Sequence, residues 1–151
     1  MDEILRNAPI GIDHIAYATK DTDKTVEFLQ SFGFEIKVYK RSFEKHKAYV
    51  TKLINKNGDI VEIVEPQQFP SIYDAILGDN ETAVYHICFK VEDFAHTYEI
   101  MRRAGAIPLS KPFDSIFCEG YLVSHMFHPN FGIFEIFGEK KANLSVEDTS
   151  K

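Results

Sequence analysis

The sequence predicts an α+β protein made of two repeated βαβββ modules, and two observations lead to this prediction. Segments in the two halves of the chain match each other at a nearly constant spacing. Alternating apolar and polar residues, typical of strands, dominate each half, with one helical pattern per half. A module of this size cannot bury both faces of its own sheet. We therefore expect the two modules to form one U-shaped mixed sheet with the helices outside.

The repeat is an ordered series of matches. His14 and His86 are 72 residues apart, and the same spacing relates Asp21 to Asp93. After a shift of one residue, a spacing of 73 relates Glu62 to Glu135. Chance matches would be scattered, whereas an ordered series with one slip indicates duplicated modules.

The first module spans residues 11–66. Its helix is predicted to begin after Asp21, a favourable N-cap residue, and to end by Gly33. The Asn55–Gly58 segment is typical of a hairpin turn between two strands. The predicted strands of this module cover residues 11–18, 35–41, 48–54 and 59–65.

The second module spans residues 83–138 and repeats this order. Residues 67–82 form a linker that contains a short helix near 70–77, and residues 139–151 form a polar tail. Asp93 and Gly105 are predicted to begin and end the second helix. The strands of this module are predicted at 83–91, 107–111, 119–127 and 132–137, and the whole chain, 1–151, is predicted to be a single domain.

Composition narrows the classes of function. The 151 residues carry a formal charge of −6, and there is no long basic stripe, so nucleic acid is not the expected partner. No apolar run approaches the roughly 18 residues of a membrane helix, and no signal-peptide pattern is visible. The two cysteines are too few for a disulfide framework. We therefore expect a cytoplasmic protein with no membrane partner.

Four polar residues interrupt otherwise apolar strands. On the first strand His14 shares a face with Ala16, and its counterpart His86 lies on the fifth strand. Glu62 and Glu135 each lie within a strand that is apolar on both faces. A buried carboxylate is costly unless it is paired, protonated or bound to a metal ion.

Two interpretations fit these four residues. His14, Glu62, His86 and Glu135 could satisfy one another as two internal His–Glu pairs. Alternatively, two imidazoles and two carboxylates make an N₂O₂ set suited to one divalent ion: Mn²⁺, Fe²⁺, Co²⁺, Ni²⁺ or Zn²⁺. We favour the metal site because all four residues occupy repeat-related positions, and six-coordination would leave two positions open to substrate.

These motifs resemble the vicinal oxygen chelate superfamily, the group of glyoxalases, bleomycin-resistance proteins and dioxygenases. The resemblance covers residues 11–138 and rests on four segments. It implies paired βαβββ modules around a metal ion, with His14, Glu62, His86 and Glu135 at the four ligand positions, and a homodimer. The four segments are Asp13–Tyr17, Val61–Pro66, Tyr85–Phe89 and Phe127–Ile136.

Within the superfamily, the sequence is most similar to the methylmalonyl-CoA epimerase-like branch. The His128–Pro129 step and the short helix before His86 are typical of that branch. Two positions depart from it. Epimerases usually carry Gln where this chain has Glu62, and a set of two His and two Glu is more typical of bacterial glyoxalase I. Lys47 aligns with the position of the catalytic glutamate that epimerases usually carry. Glu44 or His46 could serve there if the loop bends.

The function predicted from these residues is metal-dependent proton transfer at a carbon next to a carbonyl, through a stabilised enolate. Glu62 or Glu135 is the predicted catalytic base, with Lys47 and His46 as weaker candidates. The substrate is a small molecule, and a CoA thioester fits the basic segment 37–47, which could receive its phosphates. The alternatives are a glyoxalase I-type lyase acting on a thiol hemithioacetal and a ligand-sequestering resistance protein without catalysis. A dioxygenase is disfavoured because Glu62 would fill a position that such enzymes leave open.

Overall fold

The computed structural model describes residues 10–140, and these divide into two compact units. One unit runs from His14 to His86, and the other joins residues 10–13 to 87–140. The unit boundaries fall inside the first and fifth strands. The elements are, in order, β1 (Ile10–Thr19), α1 (Thr22–Gln30), β2 (Glu35–Phe43), a 3₁₀ turn (Glu44–His46), β3 (Ala48–Ile54), β4 (Ile60–Pro66), α2 (Asp74–Leu77), β5 (Thr82–Val91), α3 (Phe94–Arg103), β6 (Ile107–Pro108), β7 (Phe113–Asp114), β8 (Tyr121–His128) and β9 (Gly132–Glu139).

The two units repeat the same strand pairing. In the unit His14–His86, β1 pairs in parallel with β4, which pairs antiparallel with β3, and β3 pairs antiparallel with β2. In the other unit, β5 pairs in parallel with β9, β9 antiparallel with β8, and β8 antiparallel with β6. Parallel and antiparallel pairs therefore occur in both units, which confirms the predicted α+β class with a mixed sheet.

The two long helices begin as the sequence predicts. The Asp21 side chain accepts a hydrogen bond from the Lys24 backbone N–H at 3.1 Å, and Asp93 accepts one from His96 at 3.1 Å. A carboxylate in this position satisfies one of the unpaired N–H groups at a helix start. Both caps lie at the same position of the repeat, so the same local chemistry begins the helix in each unit.

Each helix covers one face of the strands in its own unit. Val26 and Leu29 of α1 pack with Leu53 and Ile63 of the strands. In the other unit the buried cluster consists of Val91, Phe94, Ala106, Leu122, Met126, Phe134 and Ile136. The apolar strand residues that face the helices are thus separated from His14 and Glu135, which lie at intervening positions and point to the opposite strand face.

The linker and the short strands differ most from the prediction. Helix α2 covers only Asp74–Leu77 instead of 70–77, and the predicted strand 107–111 is reduced to the two residues of β6. The sequence gives no sign of β7, which pairs with β8. The second module runs from Thr82 to Glu139, one residue longer at each end than predicted. The single-domain organisation stays a prediction, and the tail prediction from residue 141 onward lies outside the described residues.

None of the helices within residues 10–140 has the length and apolar character of a membrane-spanning segment.

Candidate metal centre

His14 and Glu62 come together because β1 and β4 are parallel neighbours. The register places Ala16 opposite Glu62, and His14 lies two residues before Ala16 on the same strand face. Both side chains are buried, with 5% of His14 and 8% of Glu62 exposed. His14 Nε2 lies 3.5 Å from Glu62 Oε2. The strand register therefore aims an imidazole and a carboxylate at the same point.

His86 brings a second imidazole nitrogen next to His14. Its Nε2 lies 3.3 Å from His14 Nε2, and the two rings meet edge to face with centroids 5.4 Å apart. Ligand atoms bound to one divalent ion at about 2.1 Å lie roughly 3 to 3.4 Å from one another. The 3.3 Å separation of the two imidazole nitrogens lies within that range, and the 3.5 Å separation from Glu62 Oε2 lies just above it. His14 Nε2 thus lies at a spacing typical of metal ligands from His86 Nε2, with the Glu62 carboxylate beside it.

Aromatic packing holds the His86 ring. Tyr85 contacts it at a centroid distance of 4.5 Å, and Tyr73 packs edge to face on Tyr85 at 5.3 Å. Tyr73 comes from the segment just before α2 and is 1% exposed. The linker between the two modules therefore contributes to the orientation of a candidate ligand.

Lys52 is a neighbour of Glu62 that the sequence analysis does not identify. It lies directly opposite Glu62 in the antiparallel pair of β3 and β4. Its Nζ is 3.9 Å from Glu62 Oε2, and only 19% of the lysine side chain is exposed. A positive charge at this distance favours the ionised carboxylate.

Glu135 belongs to the other unit, where its neighbour is His125. The two residues lie opposite each other in the pair of β8 and β9. His125 Nε2 is 2.7 Å from Glu135 Oε2, and the side chains are 8% and 9% exposed. Glu135 stands out in the sequence as a carboxylate within an apolar strand, whereas His125 does not. A signal was present, because the spacing of 73 that relates Glu62 to Glu135 also relates Lys52 to His125.

The structure also locates the basic segment and the alternative bases. Lys40 Nζ lies 3.1 Å from Glu65 Oε2 and donates a hydrogen bond to this carboxylate. The hydrogen bond raises the pKa of Lys40, and burial lowers it by a smaller amount. Lys47 follows the 3₁₀ turn with φ +49° and is exposed. His46 packs on Phe43 with a centroid distance of 4.5 Å. Within the segment 37–47, Lys40 is thus engaged with an acid, while Lys47 faces solvent.

The loop before β3 bends at the 3₁₀ turn, and Glu44 lies at its start. The Ser42 hydroxyl donates a hydrogen bond to the Glu44 carboxylate, and the Gln67 amide donates to the Ser42 hydroxyl at 2.9 Å. This chain of hydrogen bonds restricts the Glu44 side chain, which is nevertheless exposed. Glu44 is therefore the better oriented of the two alternative bases in the loop.

A comparison with known protein families shows the superfamily to which this chain belongs. The sequence profile of the Glyoxalase/Bleomycin resistance protein/Dioxygenase superfamily matches residues 13–120 of this chain. The chain belongs to this superfamily, as the four sequence segments indicate. A search of curated proteins finds no match.

Among solved structures, the similar ones include methylmalonyl-CoA epimerases. A Streptomyces coelicolor methylmalonyl-CoA epimerase is 25% identical, with a TM-score of 0.70, and the match covers 86% of this chain and 97% of the other. The epimerase of Mycobacterium tuberculosis is 14% identical, with a TM-score of 0.72 over 85% and 87% of the two chains. A hypothetical protein from Bacillus halodurans is 15% identical, with a TM-score of 0.72 over 90% and 99%. The last two similarities concern the fold alone.

Proposed function

We propose that this chain is a divalent-metal-dependent enzyme that catalyses proton transfer at a carbon next to a carbonyl, in a reaction of the methylmalonyl-CoA epimerase type. The observation that carries the proposal is the buried His14 imidazole, whose Nε2 lies 3.3 Å from His86 Nε2 and 3.5 Å from Glu62 Oε2. Buried groups of this kind are typical of metal sites.

Glu135 is proposed as the fourth ligand because its strand register repeats that of Glu62. Glu62 lies opposite Ala16, two residues after His14. Glu135 lies opposite Cys88, two residues after His86. Each glutamate therefore has the same relation to the histidine of the neighbouring parallel strand, which supports a set of two histidines and two glutamates.

In this proposal His14, Glu62, His86 and Glu135 would hold the ion. When bound, the ion would supply a Lewis acid that stabilises negative charge developing on the substrate carbonyl oxygen. His14 and His86 would serve as neutral nitrogen ligands, and their burial would exclude water from the reacting carbon.

The proposed base is Glu135 or Glu62, whose carboxylate oxygen would accept the proton from the substrate carbon. Proton transfer requires hydrogen-bond reach between that oxygen and the carbon-bound proton. Lys52 favours the ionised form of Glu62, whereas Glu135 lies against the His125 ring. Glu44, oriented by Ser42 in the bent loop, is a further candidate base.

A CoA thioester is the proposed substrate. Solved methylmalonyl-CoA epimerases include one in complex with 2-nitronate-propionyl-CoA and one in complex with methylmalonyl-CoA. The exposed lysines of the segment 37–47, among them Lys37, Lys45 and Lys47, offer positive charge for phosphate groups.

A glyoxalase I-type lyase is the second candidate, favoured by one feature of the donor set. The chain carries Glu62 where epimerases usually carry Gln, and two His with two Glu is the ligand set that the resemblance associates with bacterial glyoxalase I. A lyase of this type would also move a proton next to a carbonyl, so the same residues would serve both reactions.

The first experiment measures metal binding. Purified protein is stripped with a chelator, supplemented separately with Co²⁺, Ni²⁺, Mn²⁺ and Zn²⁺, and analysed for bound metal by mass spectrometry with inductively coupled plasma. We expect one ion per chain, lost in His14→Ala and kept in the control variant His128→Gln. Substoichiometric metal in every sample would contradict the proposal and favour a sequestering or structural role.

The second experiment tests the reaction on the metal-loaded protein. Deuterium exchange at the α-carbon of methylmalonyl-CoA is followed by NMR, beside the conversion of the hemithioacetal of glutathione and methylglyoxal. Exchange with the CoA ester supports the epimerase-type reaction, and conversion of the hemithioacetal supports the lyase. No reaction with either would reject both substrates.

We also propose a homodimer in a reducing cytoplasm. The homodimer rests on the superfamily resemblance, and the location rests on the two cysteines, Cys88 and Cys118, neither of which forms a disulfide in the structure. Light scattering on the protein as it elutes from a size-exclusion column should give about twice the chain mass of 17.3 kDa. A mass of one chain would reject the dimer.

A further inference from the structure

We infer that His125 is a positioning residue that fixes the carboxylate of Glu135 for metal binding, an inference that rests on the proposed function. Its Nε2 lies 2.7 Å from Glu135 Oε2, within hydrogen-bond distance, and both side chains are about nine-tenths buried.

The position of His125 follows from strand register. β8 and β9 pair antiparallel, with His125 directly opposite Glu135. Directly opposed side chains on one sheet face are the closest cross-strand neighbours. The backbone at His125 is held in turn, because its carbonyl accepts a hydrogen bond from the Leu109 N–H at 2.8 Å.

Phe113 stacks on one face of the His125 ring. It lies on β7, which pairs with β8, and its ring stacks on His125 at a centroid distance of 5.9 Å and an interplanar angle of 29°. The two-residue strand β7 therefore places the Phe113 ring against the imidazole, where it limits rotation of the His125 side chain.

The two halves of the repeat are not equivalent here. Lys52 occupies the position of His125 in the first half, and its Nζ lies 3.9 Å from Glu62 Oε2. A lysine ends in a flexible point charge, whereas an imidazole donates along one direction in its plane. Glu135 consequently has a rigid, directional partner in His125, while Glu62 faces the point charge of Lys52.

Groups that hydrogen-bond a metal ligand orient it, and their loss typically weakens metal binding by 10- to 100-fold. His125→Leu removes the hydrogen bond and keeps an apolar side chain against Phe113. His125→Gln keeps an N–H donor that reaches about as far as Nε2, whereas the shorter His125→Asn does not. His128→Gln is the matched control, because His128 lies on the same strand and bonds the Ala104 carbonyl at 3.1 Å, not a carboxylate.

The experiment measures Co²⁺ affinity by competition with a chromogenic chelator and records the visible absorption spectrum of bound Co²⁺, which reports ligand geometry. We expect His125→Leu and His125→Asn to bind Co²⁺ 10- to 100-fold more weakly with an altered spectrum. His125→Gln and His128→Gln should stay within about threefold of the unsubstituted protein, because neither removes a hydrogen bond to a metal ligand.

Three results would overturn the inference, and they differ in what else they reject. If the unsubstituted protein binds no Co²⁺, the proposed function fails and the inference fails with it. If that protein binds Co²⁺ and His125→Leu has the same affinity and spectrum, only the inference fails. Should His125→Leu not fold by circular dichroism, the Gln and Asn variants decide, and equal affinities for these two would overturn the inference.

Discussion

Glu62 and Glu135 occupy the same position of the repeat, but their neighbours differ, with Lys52 opposite the first and His125 opposite the second. We predict that Glu135→Gln, assayed in metal-loaded protein, lowers α-proton exchange by at least about 100-fold, the typical contribution of a general base. The rate is measured by deuterium exchange at saturating substrate, so that weaker substrate binding does not contribute.

Glu62→Gln is the matched comparison for Glu135→Gln. It converts the ligand set to the one usual in epimerases, so we expect exchange to persist with weaker metal binding. Unchanged turnover in Glu135→Gln would eliminate Glu135 as the base, and a loss confined to Glu62→Gln would assign that role to Glu62.

A second prediction concerns the tyrosine on α3. Burial raises the pKa of Tyr98, with Arg102 opposing this effect and Glu99 adding to it. A group whose pKa is raised on folding stabilises the protein below its unfolded pKa and loses that contribution as the pH rises through the folded pKa. We therefore expect stability to decline above about pH 10.

The measurement for Tyr98 is urea unfolding between pH 8 and pH 11, with Tyr98→Phe beside the unsubstituted protein. The phenylalanine keeps the stacking on Phe94, whose ring centroid lies 5.8 Å away. Its unfolding free energy should depend less on pH in this range. Equal pH dependence of the two proteins would show that Tyr98 does not contribute.

At this scale the sequence predicts the candidate ligands but not their neighbours. His14 and Glu62 stand out because a polar residue within an apolar strand is visible in one dimension. Lys52 and His125 are polar residues whose role depends on which residue lies opposite, and cross-strand register is set by turns and packing. Only the repeat spacing of 73 links them in the sequence.

At the scale of elements, the two helix caps allow a matched test. Asp21 and Asp93 each accept one backbone hydrogen bond at 3.1 Å at the start of a helix. Replacing either by Ala should destabilise the protein by about 1 kcal/mol. Chemical unfolding measures both variants, and Asp→Asn at the same positions, which keeps the acceptor, is the control. A change below about 0.3 kcal/mol in the Ala variants would contradict the role of these caps.

A further prediction concerns the close packing around Gly138 in strand β9. A Cβ added there would lie 2.8 Å from Val91 Cγ2 and 2.9 Å from the Val91 carbonyl oxygen. The strand and the backbone of β5 would have to separate, so Gly138→Ala should cost about 1–3 kcal/mol or more. Gly58→Ala is a useful contrast, since no atom lies within 4 Å of its added Cβ and only its φ of +86° opposes the substitution. Denaturant unfolding should therefore show the larger loss for Gly138→Ala.

Elements with a long periodic pattern are predicted well, and short ones are not. β1, β5 and the two capped helices agree with the sequence within a few residues at each end. β6 and β7 have two residues each, which is too few for alternation to be recognised. Their strand conformation comes from pairing with β8, a non-local contact that the local sequence does not encode.

At the scale of the whole molecule, the repeat connects sequence, fold and candidate site. Duplication explains why the parallel pair β1–β4 recurs as β5–β9, with a histidine on one strand and a glutamate on the other in both cases. The later divergence of the two copies at positions 52 and 125 provides two carboxylates with different neighbours.

The proposed ligands come from four strands and both copies of the repeat, so metal binding should stabilise the folded chain as a whole. A ligand that binds only the folded state, at 100 times its dissociation constant, adds about 2.7 kcal/mol. For a chain of this size that corresponds to a rise of roughly 5–10 °C in the unfolding midpoint. Differential scanning calorimetry with Co²⁺ or Ni²⁺, and again after chelator is added, measures this shift.

His14→Ala should lose the shift, and His128→Gln should keep it. An equal shift in His14→Ala would mean that the ion binds elsewhere, whereas a shift lost only in that variant would tie the stability of the whole chain to this cluster of histidine and glutamate side chains.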